Sequence, residues 1–169
     1  IKRTVEMFIS KHKKSIWILC WILFWVYIGV LVYFLFFAEM LGRAGQPRGY
    51  HYNLIPFKEI RRFLVYREQL GTAAVFLNLA GNIMIFMPFG FLLPIMSRKL
   101  RGFFRVTFLG FELSMIVEVV QLISKTGSCD VDDLILNTIG AMCGFLIYAA
   151  IQHKRDVEAD RRRMQGKDI

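Results

Sequence analysis

The sequence predicts an all-α integral membrane protein with four transmembrane helices. Of the 169 residues 56% are hydrophobic, and sixteen are Phe, which is more than a soluble domain of this size carries. The apolar residues are also gathered in four runs, each close to the roughly 20 helical residues that cross a hydrocarbon core. The formal net charge of +9 comes from basic residues at the ends of these runs and not from one stripe with stacking aromatics, so no nucleic-acid partner is expected.

The four runs divide the chain into spans, loops and tails. A signal peptide is the competing interpretation of the first run, but its apolar region would be shorter, and the following "FFAEMLGR" lacks an A-x-A cleavage site. The other three runs are Thr72–Ser97, Val106–Ser124 and Leu134–Gln152. The predicted order is a basic tail at 1–15, a first span at 16–38, a loop at 39–71, a three-helix part at 72–152 and a basic tail at 153–169.

The distribution of basic residues predicts the orientation. Both tails and the short loop around 98–105 are rich in Lys and Arg, whereas the loop "KTGSCDVDD" has one Lys against three Asp. The positive-inside rule therefore places both termini in the cytoplasm and the acidic loop outside. The first loop carries six basic residues on the outside, against the rule, but its length weakens the rule there. Within it, "IPFKEIRRFLVYREQL" has the apolar spacing of a short amphipathic helix lying on the outer interface.

The third predicted helix carries a polar stripe. Ser114, Glu118 and Gln121 are four and three residues apart and share a face at 100° per residue, whereas Glu112 projects to nearly the opposite side. Glu118 is expected about 10 Å below the outer end of the helix, where an ionisable side chain is costly and is by default a functional-site hypothesis. The alternative is a protonated Glu that hydrogen-bonds a neighbouring helix for packing.

The fourth predicted helix begins with a row of acids. Asp130, Asp133 and Asn137 share a face, and Asp132 is predicted to point away. Asp130 is placed at the N-cap and Asp133 at the third helical position, where the helix dipole favours carboxylates. Capping alone is the alternative role for these two Asp residues, but it does not account for Asn137.

The second and fourth predicted helices add residues for close approach and for hydrogen bonding. Asn78 and Asn82 lie four residues apart, roughly 10 to 15 Å deep, at the level of Glu118 and Asn137. Interhelical hydrogen bonding is the alternative role for the two Asn residues. Gly140 and Gly144 form a G-x-x-x-G that lets another helix approach, either within the bundle or in a homodimer.

Four segments in order, "NLIPF", "NIMIFMPFG", "SMIVEVVQ" and "DVDDLILNTIG", resemble the VanZ-like family, membrane proteins of mainly Gram-positive bacteria. The resemblance covers about 48–148 and implies a multi-pass protein of the bacterial cell membrane with a role in low-level teicoplanin resistance. The family often carries an Arg shortly before the first Asp, which "GSCD" lacks. The family's characteristic polar residues fall on Asn53, Asn82, Ser114, Glu118, Gln121, Asp130, Asp133, Asn137 and Gly140.

Three functions remain open from the sequence. The first is an outward-open pocket that binds a membrane lipid, a lipid-linked cell-wall component or the lipoglycopeptide itself. The second is an intramembrane enzyme acting on a lipid headgroup, with Glu118 as general base. Asp130 with Asp133 would then be either its acid partner or the ligands of a divalent metal; the catalytic candidates are Glu118 and Asp133, and no nucleophile, zinc signature or phosphate-binding Gly-rich loop is visible. The third and least supported is a proton-coupled transporter. The predicted ligand-binding residues are Asn53, Asn78, Asn82, Ser114, Glu118, Gln121, Asp130, Asp133 and Asn137.

Overall fold

The computed structural model describes residues 2–33, 51–125 and 127–165. Almost all of this part is helical, and the connection between the second and third long apolar helices contains a 3₁₀ turn at Arg98–Leu100. The elements are α1 (Lys2–Val32), β1 (His51–Asn53), α2 (Lys58–Val65), α3 (Arg67–Leu70), α4 (Thr72–Met96), α5 (Phe103–Ser124), β2 (Ser128–Asp130) and α6 (Val131–Gln165).

Three helices of the described part, α4, α5 and α6, are long and apolar enough to cross a membrane. The predicted class, an all-helical membrane protein, is confirmed, and α4 and α5 begin and end within three residues of the predicted spans. In α1 the apolar stretch is shorter, Trp17–Val32. The remainder of the predicted first span, 34–38, and the first part of the predicted loop, 39–50, lie outside the described residues.

Both terminal helices continue through segments predicted as tails. The last helix, α6, runs to Gln165, and α1 begins at Lys2. Hydropathy marks where an apolar run ends, but a helix continues for as long as its residues favour it. The segment after Gln152 contains no Gly or Pro before Gln165 and has four Arg, which is a good helix former.

The α4 and α6 helices are in close parallel contact. A Cβ added to Gly140 would lie 2.2 Å from the carbonyl oxygen of Ile83, and one added to Gly144 would lie 2.0 Å from that of Met87. These glycines therefore let the two backbones touch, as small residues do between membrane helices. The G-x-x-x-G therefore packs within the chain, the first of its two predicted roles, and the homodimer stays a prediction.

The α5 and α1 helices complete the bundle. Gly110 of α5 faces the side chain of Ala141, which is fully buried between α4 and α5. Further along the same antiparallel contact, Val106 packs with Phe145. From α1, Tyr27 packs against the buried cores around α4. The bundle is therefore organised around α6, with α4 and α5 on two of its sides.

Two strands that the sequence does not reveal join the first loop to the start of α6. His51–Asn53 pairs in parallel with Ser128–Asp130, and Asn53 lies opposite Asp130. The amphipathic segment that follows is helical, as predicted, at Lys58–Val65 and again at Arg67–Leu70. Its apolar side chains are largely exposed. Its location on a membrane interface stays a prediction.

Candidate functional site

A set of polar side chains, named here the polar cluster, lies where α5 ends and α6 begins. Its members are contributed by β1, α4, α5, β2 and α6, and most of them are buried. It combines acidic groups with amide and hydroxyl groups at one end of an apolar bundle. The polar cluster consists of Asn53, Asn82, Ser114, Glu118, Asp130, Asp132, Asp133 and Asn137.

Glu118 holds the strand that leads into α6. Only 4% of its surface is exposed, and its Oε2 accepts the backbone N–H of Asp130 at 2.8 Å. This contact arises because Lys125, in a left-handed conformation, ends α5 and the chain turns back past Glu118. The predicted polar stripe is confirmed in its direction: Ser114 and Gln121 are buried beside Glu118, and Glu112 is exposed.

Asp130 caps α6 and joins it to the first loop. Its Oδ1 accepts the backbone N–H of Asp132 at 2.8 Å, which confirms the predicted N-cap. The same oxygen accepts the side-chain Nδ2–H of Asn53 at 3.0 Å, and the Oδ1 of Asn53 in turn accepts the N–H of Ile55. The β1–β2 pairing and this side-chain bond thus fasten the first loop to the start of α6.

Asp132 is a buried acid with a partner that the sequence does not predict. The sequence predicts only that it points away from the face of Asp130, Asp133 and Asn137, and it is 1% exposed. Its carboxylate accepts the backbone N–H groups of Phe57, Glu59 and Ile60, the last two at 2.8 and 3.1 Å. Because the first N–H groups of a helix lack partners within it, a carboxylate at that end satisfies them and also meets the positive end of the helix dipole. Asp132 points away from α6 and into the N-terminus of α2.

A signal for this contact was present in the sequence. The residue at the N-cap of α2 is Phe57, whose side chain cannot accept a hydrogen bond. In the structure Phe57 also has a left-handed φ of 64°, which is uncommon for a bulky residue. A helix start without its own capping side chain requires an acceptor from elsewhere in the fold. Sequence spacing does not say which acceptor, because Asp132 lies more than 70 residues away.

Asn82 and Asp133 connect α4 with α6. The Nδ2–H of Asn82 donates to the Oδ1 of Asp133, and both residues are half-buried. Asn78, predicted to join them, is exposed on α4 and lies outside the polar cluster. Asn82 meets Asp133 in the first turn of α6, so Asn78, one turn earlier on α4, lies beyond the point where α6 begins.

Asn137 forms a second, deeper level of the polar cluster with Ser114. Its Nδ2–H donates to the Ser114 hydroxyl oxygen at 2.9 Å, and Asn137 is 1% exposed. Its other amide atom, Oδ1, has no hydrogen-bond partner within the described residues. Such buried, unpartnered groups are rare in folded proteins and call for an explanation.

Cys129 lies in β2 between two of the acids. Burial raises the pKa of its thiol above the ordinary value of 9.0, and the neighbouring charges of Glu118 and Asp130 raise it further. Because the thiolate is the reactive form, this environment suppresses nucleophilic chemistry at neutral pH.

The predicted metal ligands Asp130 and Asp133 bind different partners. Asp130 contacts Asn53 and a backbone N–H, and Asp133 contacts Asn82. Among the described residues, no group of three or more His, Cys, Asp and Glu side chains is arranged to hold a metal ion.

The fold and the polar cluster define a class: a helical membrane protein whose loop is fastened by buried acids to the start of a central helix. Within this class the chain belongs to the VanZ/LLP1 family, whose sequence model matches residues 24–152. Every residue of the polar cluster lies inside that range.

A relative in this family is Protein VanZ of Enterococcus faecium. The chain is 32% identical to it over 87 residues, which are 51% of this chain and 53% of that protein. The chain therefore spans about half the length of the curated relative that it matches. No solved structure matches the chain.

Proposed function

We propose that the protein lowers the susceptibility of a bacterium to teicoplanin-type lipoglycopeptides by binding an amphiphile at the polar cluster. The bound molecule is a membrane lipid, a lipid-linked cell-wall component or the acyl-bearing antibiotic. Membership of the VanZ/LLP1 family supports the link to resistance. The arrangement of a polar cluster at one end of an apolar bundle supports the binding of a molecule with a polar head and an apolar tail.

The observation that carries this proposal is the unpartnered Oδ1 of Asn137. A buried polar atom without a partner costs about 1–3 kcal/mol. The cost is removed when an ordered water or a ligand supplies the missing hydrogen bond. Asn137 lies one turn below Asp133 on α6, so a head group that enters the polar cluster from the outer end reaches it last.

The proposal includes a topology with four spans, both termini in the cytoplasm and the polar cluster near the outer face. The charge distribution supports it, since the loop between α5 and α6 is acidic and both tails are basic. On this side of a bacterial cell membrane the polar cluster would meet the antibiotic and its lipid-linked target.

No observation favours the enzymatic or transporter alternatives over binding. Glu118, the predicted base, accepts a backbone N–H that holds β2, which is a structural bond. Cys129, the thiol nearest to it in the fold, has its pKa raised and not lowered.

The direct test is the resistance phenotype of a susceptible Gram-positive host that expresses the full chain. We expect the chain to raise the minimum inhibitory concentration of teicoplanin. The Asn137→Leu variant, which keeps the side-chain size but removes the amide, should abolish this rise. The matched control is Glu112→Gln, because Glu112 is exposed on α5 and outside the polar cluster.

Membrane levels and unfolding temperatures of the variants are compared in parallel, so that loss of binding is separated from loss of the fold. A wild-type chain that leaves susceptibility unchanged, or a well-folded Asn137→Leu variant that retains the full rise, would contradict the proposal.

A further inference from the structure

The first loop presents a group of exposed apolar side chains at the end of the bundle that carries the polar cluster. Six of these side chains are large and are each more than half exposed: Tyr52, Leu54, Ile55, Phe57, Leu64 and Val65. Apolar side chains collected in this way on a surface mark a contact with a partner or with a membrane. The exposed side chains of 52–70 are named here the loop surface.

Basic side chains share the loop surface with these apolar residues. The range 52–70 contains four basic and two acidic residues, which leaves a net charge of +2. One of the four, Arg62, binds Glu59 at 2.7 Å. The other three are exposed and form no ion pair within the described residues: Lys58, Arg61 and Arg67. The loop surface is therefore both apolar and positively charged.

The two kinds of side chain lie together on α2. Lys58, Arg61 and Leu64 are three residues apart in turn and lie on one side of the helix, and all three are exposed. Ile60 and Phe63 lie on the other side and are half-buried, where α2 contacts α4 and α6. The free side of α2 thus carries basic and apolar groups beside each other, as helices that lie on a membrane surface do.

The chain connection fixes the loop surface at the level of the lipid headgroups. The membrane-spanning stretch of α4 begins at Val75, and its first helical residue, Thr72, lies about 5 Å further out at 1.5 Å per residue. The headgroup layer on each side of a bilayer is roughly 5–8 Å thick. Leu70, the end of α3, is only two residues from Thr72. The loop surface therefore begins where the bilayer presents its charged groups.

The helix α2 is held in place without help from a membrane. The Asp132 carboxylate accepts the backbone N–H groups of Phe57, Glu59 and Ile60, so the N-terminal donors of α2 are already occupied. An anionic group that reaches the loop surface therefore meets basic side chains and not free backbone donors. Because α2 is already ordered, little conformational entropy is lost when its free side is covered.

We propose that the loop surface binds anionic phospholipids of the leaflet at this end of the bundle. Lys58, Arg61 and Arg67 contact the lipid phosphates, and Leu64 and Val65 lie among the uppermost acyl carbons. Zwitterionic phospholipids bind less well, because their ammonium group cancels the charge of the phosphate. The inference is separate from the proposed function, since other residues carry it and it holds for either orientation in the membrane.

The test measures which lipid lies beside Leu64 in a bilayer. The full chain, with its three Cys residues replaced by Ala and with a bimane-labelled Leu64→Cys, is placed in nanodiscs of equal parts phosphatidylglycerol and phosphatidylcholine. In one preparation only the phosphatidylglycerol has brominated acyl chains, and in the other only the phosphatidylcholine has them. Bromine quenches a fluorophore that it contacts, so the ratio of the two quenching values measures the local enrichment of the anionic lipid.

We expect phosphatidylglycerol to be enriched about fivefold beside the label, the effect of one basic side chain near a membrane surface. The enrichment should fall as salt is raised to about 1 M, where charges are screened within about 3 Å. Replacing Lys58, Arg61 and Arg67 together by Gln should remove it. The matched control is a label at Ile116, which is exposed on α5 with no basic residue within one turn, and there both lipids should quench equally.

Equal quenching by the two lipids at Leu64, or an enrichment that survives in the triple Gln variant, would overturn this inference. Absence of quenching by either lipid would overturn it as well, because the loop surface would then stand away from the bilayer. The comparison of lipids uses the chain with its basic residues intact, so an unstable triple variant leaves the test decisive. Resistance that persists without any lipid preference would leave the proposed function standing.

Discussion

The buried polar residues of this protein have two different roles. Asp132 and Asp130 act in the fold, because one caps α2 and the other caps α6 and binds Asn53. The side-chain Oδ1 of Asn137 has no hydrogen-bond partner within the described residues. The distinction matters for mutagenesis, since replacing a capping acid disturbs the fold and replacing Asn137 disturbs the site.

Asp132→Ala is expected to release the first loop. Three backbone N–H groups, those of Phe57, Glu59 and Ile60, lose their acceptor, at a cost of about 2–3 kcal/mol. The rate of proteolysis between 51 and 70 in detergent measures the change and should rise at least tenfold. Asp160→Ala, which removes an exposed acid near the C-terminal end of α6, is the control. An unchanged cleavage rate in Asp132→Ala would show that this carboxylate does not hold the loop.

The pKa of Cys129 reports the charge on Glu118. Since burial and the nearby negative charges both disfavour the thiolate, the wild-type thiol should react with iodoacetamide with a midpoint above pH 9.0. Glu118→Gln removes one of the charges, so the midpoint should fall and the reaction at pH 8 should accelerate. The measurement uses chains in which Cys20 and Cys143 are replaced by Ala, with Glu112→Gln as the control. An unchanged midpoint in Glu118→Gln would mean that Glu118 carries no charge beside Cys129.

At the scale of elements, the sequence predicts the long helices well because a membrane span needs a long apolar run. The strands β1 and β2 could not be predicted, since each has three residues and their pairing joins positions more than 70 residues apart. The polar stripe on α5 follows from 100° per residue within one helix. The exposure of Asn78 does not, because it depends on where along α4 the helix α6 begins.

The contact between α4 and α6 should be intolerant of a single methyl group at Gly144. Gly144→Ala would place a carbon 2.0 Å from the Met87 carbonyl oxygen, so the helices must separate, at a cost of about 1–3 kcal/mol. Gly29→Ala is the matched control, because no other element of the described part of the chain comes within 4 Å of that added carbon. The free energy of unfolding in mixed detergent measures both. Equal stability of the two variants would contradict the close approach of α4 and α6.

At the scale of the whole molecule, the bundle is a scaffold that presents a polar cluster at one end of three apolar helices. The proposed function requires that end to face outward. The test uses a chain in which Cys20, Cys129 and Cys143 are replaced and one new Cys is introduced. We expect a Cys at Arg61 to react with a membrane-impermeant maleimide in intact cells. A Cys at Arg163 should react only after permeabilisation. Both positions are exposed in the fold. The reverse labelling pattern would place the polar cluster on the cytoplasmic side and contradict the proposed topology.

The most direct measurement of the central claim is an experimental structure of the full chain with its native lipids retained. Our account predicts density for the head group of an amphiphile within hydrogen-bonding distance of the Asn137 Oδ1 and in contact with Asp133. It would be contradicted by a polar cluster that is closed by bonds within the protein and ordered water alone, with lipid density confined to the outside of the bundle.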